Sequence, residues 1–150
     1  MDKGEEALAA AKRELFEETG VRSVEYLGEA RLSRSRPART AAACLTRAAQ
    51  TSGWLCYQFP AELLAAWRAK GKGWGGKYVG QAQRWFFFRY TGAPDGAEVD
   101  LGAQHGDPEF CEWRWAALDG GLVDAVVPFK RAVYAEVVRT AQQLLSKQRP

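Results

Sequence analysis

An α/β domain is the fold class that this 150-residue sequence predicts, on three observations. Segments with helical and with strand periodicity alternate along the chain without an internal repeat, which favours helices packed on a sheet over an all-α or all-β layout. Hydrophobic residues make up 47% of the chain and charged residues 26%, the balance of a globular protein that buries a core. A chain of this size can remove roughly 70% of its unfolded surface from water, enough for a single domain over residues 1–150.

The first element is a helix from about Glu5 to Thr19. Leu8, Ala11 and Leu15 recur at i, i+3 and i+7 as an apolar stripe, and Gly20 is the expected stop. Residues 21–33, VRSVEYLGEARLS, read as a strand through Val21, Val24, Tyr26 and Leu32. Residues 33–53 are Ser, Arg, Ala and Thr with almost no large apolar side chain, so they bury too little surface to offset their ordering entropy and read as a flexible insertion. WLCYQFP (54–60) is a short strand, and Pro60 leads into a helix, AELLAAWRAKG (61–71), that Gly71 ends.

GKGWGGKYVG (71–80) is a glycine-rich loop. QAQRWFFFRYTG (81–92) has the aromatic density of a central strand, residues 93–101 carry turn chemistry, and CEWRWAAL (111–118) alternates Trp113, Trp115 and Ala117 on one strand face. Trp85, Phe87, Trp113 and Trp115 are therefore expected in the core. The C-terminal PFKRAVYAEVVRTAQQLLSK (128–147) is an amphipathic helix with Phe129, Val133, Val137 and Leu144 on one side.

Composition narrows the function. The net charge is +3, but five arginines lie between residues 31 and 50, where there is no acid, so the rest of the chain is slightly acidic and offers no general polyanion surface. Cys44, Cys56 and Cys111 stand alone, with neither a CxxC pair nor histidines at metal-ligand spacing, so neither a zinc site nor a disulfide framework is indicated. His105 reads as a surface loop residue, and Cys56 and Cys111 as small strand residues. No apolar run reaches the ~18 residues of a membrane span. The opening residues have neither a signal-peptide core nor the bias of a transit peptide, so no targeting segment and no membrane partner are expected.

Glu14, Glu17 and Glu18 fall at i, i+3 and i+4 of the first helix. Like charges at that spacing share a face and cost a few tenths of a kcal/mol per pair unless a cation offsets them. A solvated face laced with i, i+4 pairs is the plain reading. The chemical one is a Mg²⁺ site, because that ion takes carboxylate oxygens, waters and substrate phosphates. A metal so held lowers the pKa of a coordinated water that then attacks phosphorus.

Reading forward, Glu5, seven further residues, and then Arg13-Glu14-Leu15-Phe16-Glu17-Glu18-Thr19-Gly20-Val21 reproduce G-x5-E-x7-R-E-U-x-E-E-x-G-U from its first glutamate onward, U being a bulky aliphatic residue. On residues 5–21 the chain resembles the Nudix hydrolase family. The leading glycine of the signature would lie two residues upstream of Met1. WLCYQFP, GQAQRWFFFRYTG, PEFCEWRW and VPFKRAVYAEV are similar to the matching blocks of plant asymmetric diadenosine tetraphosphate hydrolases and of bacterial RNA pyrophosphohydrolases, the alanine of GQAQ being nearer the plant form.

The resemblance implies a Nudix-type α/β/α sandwich with a mixed sheet, expected here to lack its first strands. It implies Mg²⁺, with Mn²⁺ as a substitute, held by Glu14, Glu17, Glu18 and Glu109. Either Glu14 or Glu109 serves as general base, a choice that rests on reach to the attacking water. Arg13 joins the catalytic set as an orienting residue, while Glu5 and Gly20 shape the signature. Tyr57, Gln81, Lys130 and Tyr134 fall in the blocks that line the nucleotide site, where an aromatic face stacks a base and an ammonium meets a phosphate. Tyr57 and Tyr134 read equally well as core-edge residues, and Lys130 as a solvated one.

The implied substrate is a dinucleoside polyphosphate, with the triphosphorylated 5′ end of RNA as the alternative. A nucleotide-binding module without activity is the reading from a different class. A monomer in the chloroplast or the cytoplasm is expected, and the arginines of residues 33–53 offer an RNA contact.

Overall fold

A computed structural model of the chain describes residues 5–30, 53–71, 78–102 and 110–147. The expected insertion (apart from Gly53), Cys44, His105 and Glu109 lie outside the described residues. In order, the elements are α1 (Ala7–Thr19), β1 (Val24–Glu29), β2 (Leu55–Gln58), α2 (Ala61–Ala69), β3 (Gly80–Gln83), β4 (Phe86–Tyr90), α3 (Gly120–Asp124), a 3₁₀ turn (Pro128–Lys130) and α4 (Arg131–Ser146). Helices and strands mix as the α/β class requires. Among the described residues the strands form two two-stranded sheets, β1 with β4 and β2 with β3. The chain divides into two compact units, Met1–Gly28 with Phe86–Ala116 and Glu29–Trp85 with Ala117–Pro150.

In the first unit, α1 ends where the sequence predicts. Gly20 takes the left-handed conformation (φ 73°) and donates its N–H to the Phe16 carbonyl at 2.8 Å. A Cβ at this position would stand 3.2 Å from the Asp100 backbone, whose N–H donates to the Thr19 carbonyl. Positive φ and close approach both call for glycine. The chain after it is fixed by Glu98, whose carboxylate accepts the N–H groups of Arg22 (2.8 Å) and Ser23 (3.0 Å). Tyr26 on β1 packs against Phe86 and Phe88 of β4, at 6.4 and 5.9 Å between ring centroids.

The single strand expected over residues 81–92 is two strands. Arg84 and Trp85 separate β3 from β4, because the residues before them pair with β2 and those after them pair with β1. Residues 111–117 are not a strand at all. Trp113 and Trp115 are exposed, at 42% and 57%, which corrects their expected place in the core. They pack edge to face on each other at 5.5 Å, and Trp115 meets Tyr90 at 5.4 Å. Alternation specifies a face but not a partner strand, and among the described residues none pairs with this stretch. Cys111 is likewise exposed.

In the second unit, β2 and β3 are antiparallel, with Leu55 opposite Gln83 and Tyr57 opposite Gln81. Leu55 and Tyr57, two apart on β2, are buried. Pro60 opens α2, and Gly71 follows it at φ 64°, as expected of a proline start and a glycine stop. The expected C-terminal helix is a 3₁₀ turn and then α4, which buries Val133, Val137, Val138 and Ala141 and leaves Leu144 half-buried. Arg131 at the head of α4 donates to the carbonyls of Asp124 (3.1 Å) and Val126 (3.2 Å), groups left open at the end of α3. Among the described residues no helix is long and apolar enough to cross a membrane.

Candidate active site

On α1, Arg13 gathers carboxylates from both sides of it along the chain. Its Nε and Nη2 reach the two oxygens of Glu5, each at 3.0 Å. Nη1 donates to Glu17 at 2.6 Å and Nη2 to Glu14 at 3.4 Å. The hydrogen bond that Arg13 donates to Glu5 is the main reason its guanidinium holds its proton even more firmly than usual, with the charge of Glu17 adding to it. Part of the charge crowding in the sequence is therefore offset by Arg13 itself, which sits one position from Glu14 and four from Glu17.

Glu14 and Glu17 are exposed and Glu18 is half-buried. Among the described residues no three His, Cys, Asp or Glu side chains converge closely enough to hold a metal, and Glu109 is not among them. The donor chemistry nonetheless fits a hard divalent cation: Glu14, Glu17 and Glu18 are all oxygen donors on one helix, two of them open to solvent.

The second unit holds an aromatic cavity of about 660 Å³. Tyr57, Gln81 and Lys130 are brought together there. The Tyr57 hydroxyl donates to Gln81 Oε1 across the β2–β3 pair, and Lys130 Nζ lies 5.5 Å from the centre of the Tyr57 ring. Tyr134 is not in that lining; it packs edge-on against Trp85 at 5.1 Å.

Sequence reading missed Phe59, Trp67 and Tyr78 in the same wall. Phe59 meets Tyr57 at 5.8 Å, Trp67 at 5.0 Å and Phe129 at 6.3 Å. Signals for two of them were present. Phe59 shares the face of Tyr57 two residues on, and Trp67 follows Leu63 by one helical turn. Glu98 was also missed, because a carboxylate that binds backbone N–H groups far away in sequence leaves no local pattern.

The fold, the signature on α1 and the aromatic cavity describe a class of enzyme, and comparison with known proteins agrees. The NUDIX domain family matches residues 1–68. An RNA pyrophosphohydrolase of Azorhizobium caulinodans is 42% identical over 143 residues, covering 93% of this chain and 67% of that protein. Proteins of the same name from Cereibacter sphaeroides and Agrobacterium fabrum are 42% and 39% identical, covering 93% and 98% of this chain and 68% and 70% of theirs. The chain belongs to the Nudix hydrolase family. All three relatives are bacterial, so the expectation of a chloroplast compartment gains nothing from them.

Proposed function

We propose that this chain removes pyrophosphate from the triphosphorylated 5′ end of RNA, acting as one catalytic domain over residues 1–150. As a Nudix hydrolase it cleaves phosphoanhydride bonds. The observation that carries the RNA reading is the name shared by relatives 39–42% identical over most of the chain. It reverses the order of the two substrates weighed from sequence, where the dinucleoside polyphosphate came first. Water adds to phosphorus, a P–O–P bond breaks, and pyrophosphate and 5′-monophosphorylated RNA leave.

We assign Glu14, Glu17, Glu18 and Glu109 to hold Mg²⁺, with Mn²⁺ as a substitute. A divalent cation held there supplies charge neutralisation of the phosphate oxygens and a more acidic water. Glu14 or Glu109 takes the proton of the attacking water. Arg13 orients Glu5, Glu14 and Glu17 and meets no substrate. Tyr57 stacks a base, Lys130 meets a phosphate and Gln81 positions the Tyr57 hydroxyl, while Tyr134, packed on Trp85, is left out of this set. The chain works as a monomer.

The test is pyrophosphate release from a 5′-triphosphorylated RNA oligomer by the 150-residue chain, with and without Mg²⁺, beside diadenosine tetraphosphate. Metal-dependent release with RNA as the better substrate is expected. Faster cleavage of diadenosine tetraphosphate would restore the other substrate, and ligand binding without turnover of either would leave only a binding module.

A further inference from the structure

The flank of α1 turned away from Glu14 and Glu18 carries cations rather than acids. Lys12 and Phe16 are one helical turn apart and lie about opposite Glu14 and Glu18 around the helix axis. With Arg13, Val21, Arg22 and Val24 they line a hollow of about 290 Å³. Phe16, Val21 and Val24 give it an apolar floor, and the Arg22 guanidinium lies 3.8 Å from the centre of the Phe16 ring.

Three features make this more than a scatter of surface charge. Arg13 has its charge offset by Glu5, Glu14 and Glu17, whereas Lys12 forms no ion pair with any described residue and Arg22, with no carboxylate oxygen of a described residue within 4 Å, feels the charge of Glu98. The Glu98 carboxylate nearby is spent on the backbone N–H groups of Arg22 and Ser23. That clamp, with the Ser23 carbonyl accepting the Thr91 N–H at 2.8 Å and Gly20 against Asp100, fixes the chain from which Arg22 projects. Lys12, with no paired carboxylate, and Arg22, partly balanced by Glu98, stand on a fixed frame beside apolar walls and form a seat for an anion that need not be ordered first.

We infer that the Lys12–Arg22 hollow binds backbone phosphates of the RNA chain downstream of its reacting 5′ end, an inference that rests on the RNA reading above. Phosphodiester is favoured over a single free phosphate because Lys12, the unpaired cation of the hollow, lies about opposite Glu14 and Glu18 around the axis of α1. An anion seated there belongs to a different part of the substrate from the triphosphate. The site adds affinity in proportion to chain length and leaves the chemical step alone.

The experiment compares the wild-type chain with a Lys12→Ala/Arg22→Ala double variant, both shown folded by circular dichroism. Binding of a long 5′-hydroxyl RNA oligomer, which has no bond for the enzyme to cleave, is followed by fluorescence anisotropy against salt. The double variant is expected to bind about tenfold more weakly and to lose about 1.4 from the slope of log affinity on log salt, the value for two single-strand phosphate contacts. Turnover of a triphosphorylated dinucleotide is expected to stay at the wild-type rate, with KM rising only for the long oligomer. Arg22→Lys should keep most of the salt slope.

Equal anisotropy curves for wild type and double variant overturn the inference. So does a polyglutamate peptide that competes as well as RNA, which would make the hollow a seat for acidic protein. If no triphosphorylated substrate is cleaved while the anisotropy difference persists, the RNA-end activity falls and the phosphate seat stands.

Discussion

Arg13 and Glu5, eight residues apart, meet at two points: Nε on one carboxylate oxygen and Nη2 on the other, both at 3.0 Å. A lysine cannot make this fork. Arg13→Lys is predicted to keep α1 but to weaken Mg²⁺ half-saturation of turnover by roughly 10–100-fold, the usual cost of losing a group that orients ligands. Glu5→Gln should act in the same direction. A metal titration of initial rates reads both, and unchanged half-saturation would separate the pair from the site.

Glu17 stands 2.6 Å from Arg13 and is assigned to the metal. Glu17→Gln keeps the shape and a hydrogen-bond acceptor but removes the charge. Turnover is predicted to fall by at least the roughly 10–100-fold that loss of a group supporting the metal ligands costs, while circular dichroism stays unchanged. A variant within a few-fold of wild type would remove Glu17 from the ligand set.

The Glu98 carboxyl is held below its usual pKa, first by the Arg22 N–H and then by Ser23. A lowered folded-state pKa means that the stabilisation is complete above the ordinary carboxylate range and is lost as pH falls below that range and through the lowered pKa. Urea midpoints of wild type and Glu98→Gln should therefore differ at neutral pH and converge on acidification. A gap that stayed constant with pH would mean that the charge of Glu98 contributes nothing.

Gly20→Ala puts a Cβ at φ 73° and 3.2 Å from the Asp100 backbone. The left-handed conformation alone costs about 1–2 kcal/mol for a residue with a Cβ. Denaturant unfolding should show a loss of at least that size. Gly71→Ala, at φ 64° but with nothing near the added Cβ, should lose less.

What could be read from sequence and what could not divide along physical lines. The end of α1 at Gly20 and the span of α2 between Pro60 and Gly71 were legible because proline and glycine act through their own backbones. The meeting of Arg13 with Glu14 and Glu17 was legible because helical spacing turns sequence distance into a common region. Three of the four residues expected at the nucleotide site, Tyr57, Gln81 and Lys130, meet at one cavity.

The failures are all questions of partnership. Nothing within QAQRWFFFRYTG says that its first half pairs with β2 and its second half with β1. The alternation of Trp113 and Trp115 promised a buried face, but burial depends on what lies opposite, and both rings are exposed. Tyr134 went to Trp85 rather than to the cavity for the same reason, since a helix position fixes direction but not neighbour.

Gly80 faces the Tyr57 carbonyl across the β2–β3 pair so closely that even a methyl group would collide with it. The cavity therefore has one strand position, Gly80, that point mutation can scarcely alter and a wall, carried by Leu63 and Trp67 on α2, that it can. Divergence in ligand preference among descendants of this sequence should accumulate on α2, through changes of side-chain volume, long before it touches Gly80 beneath.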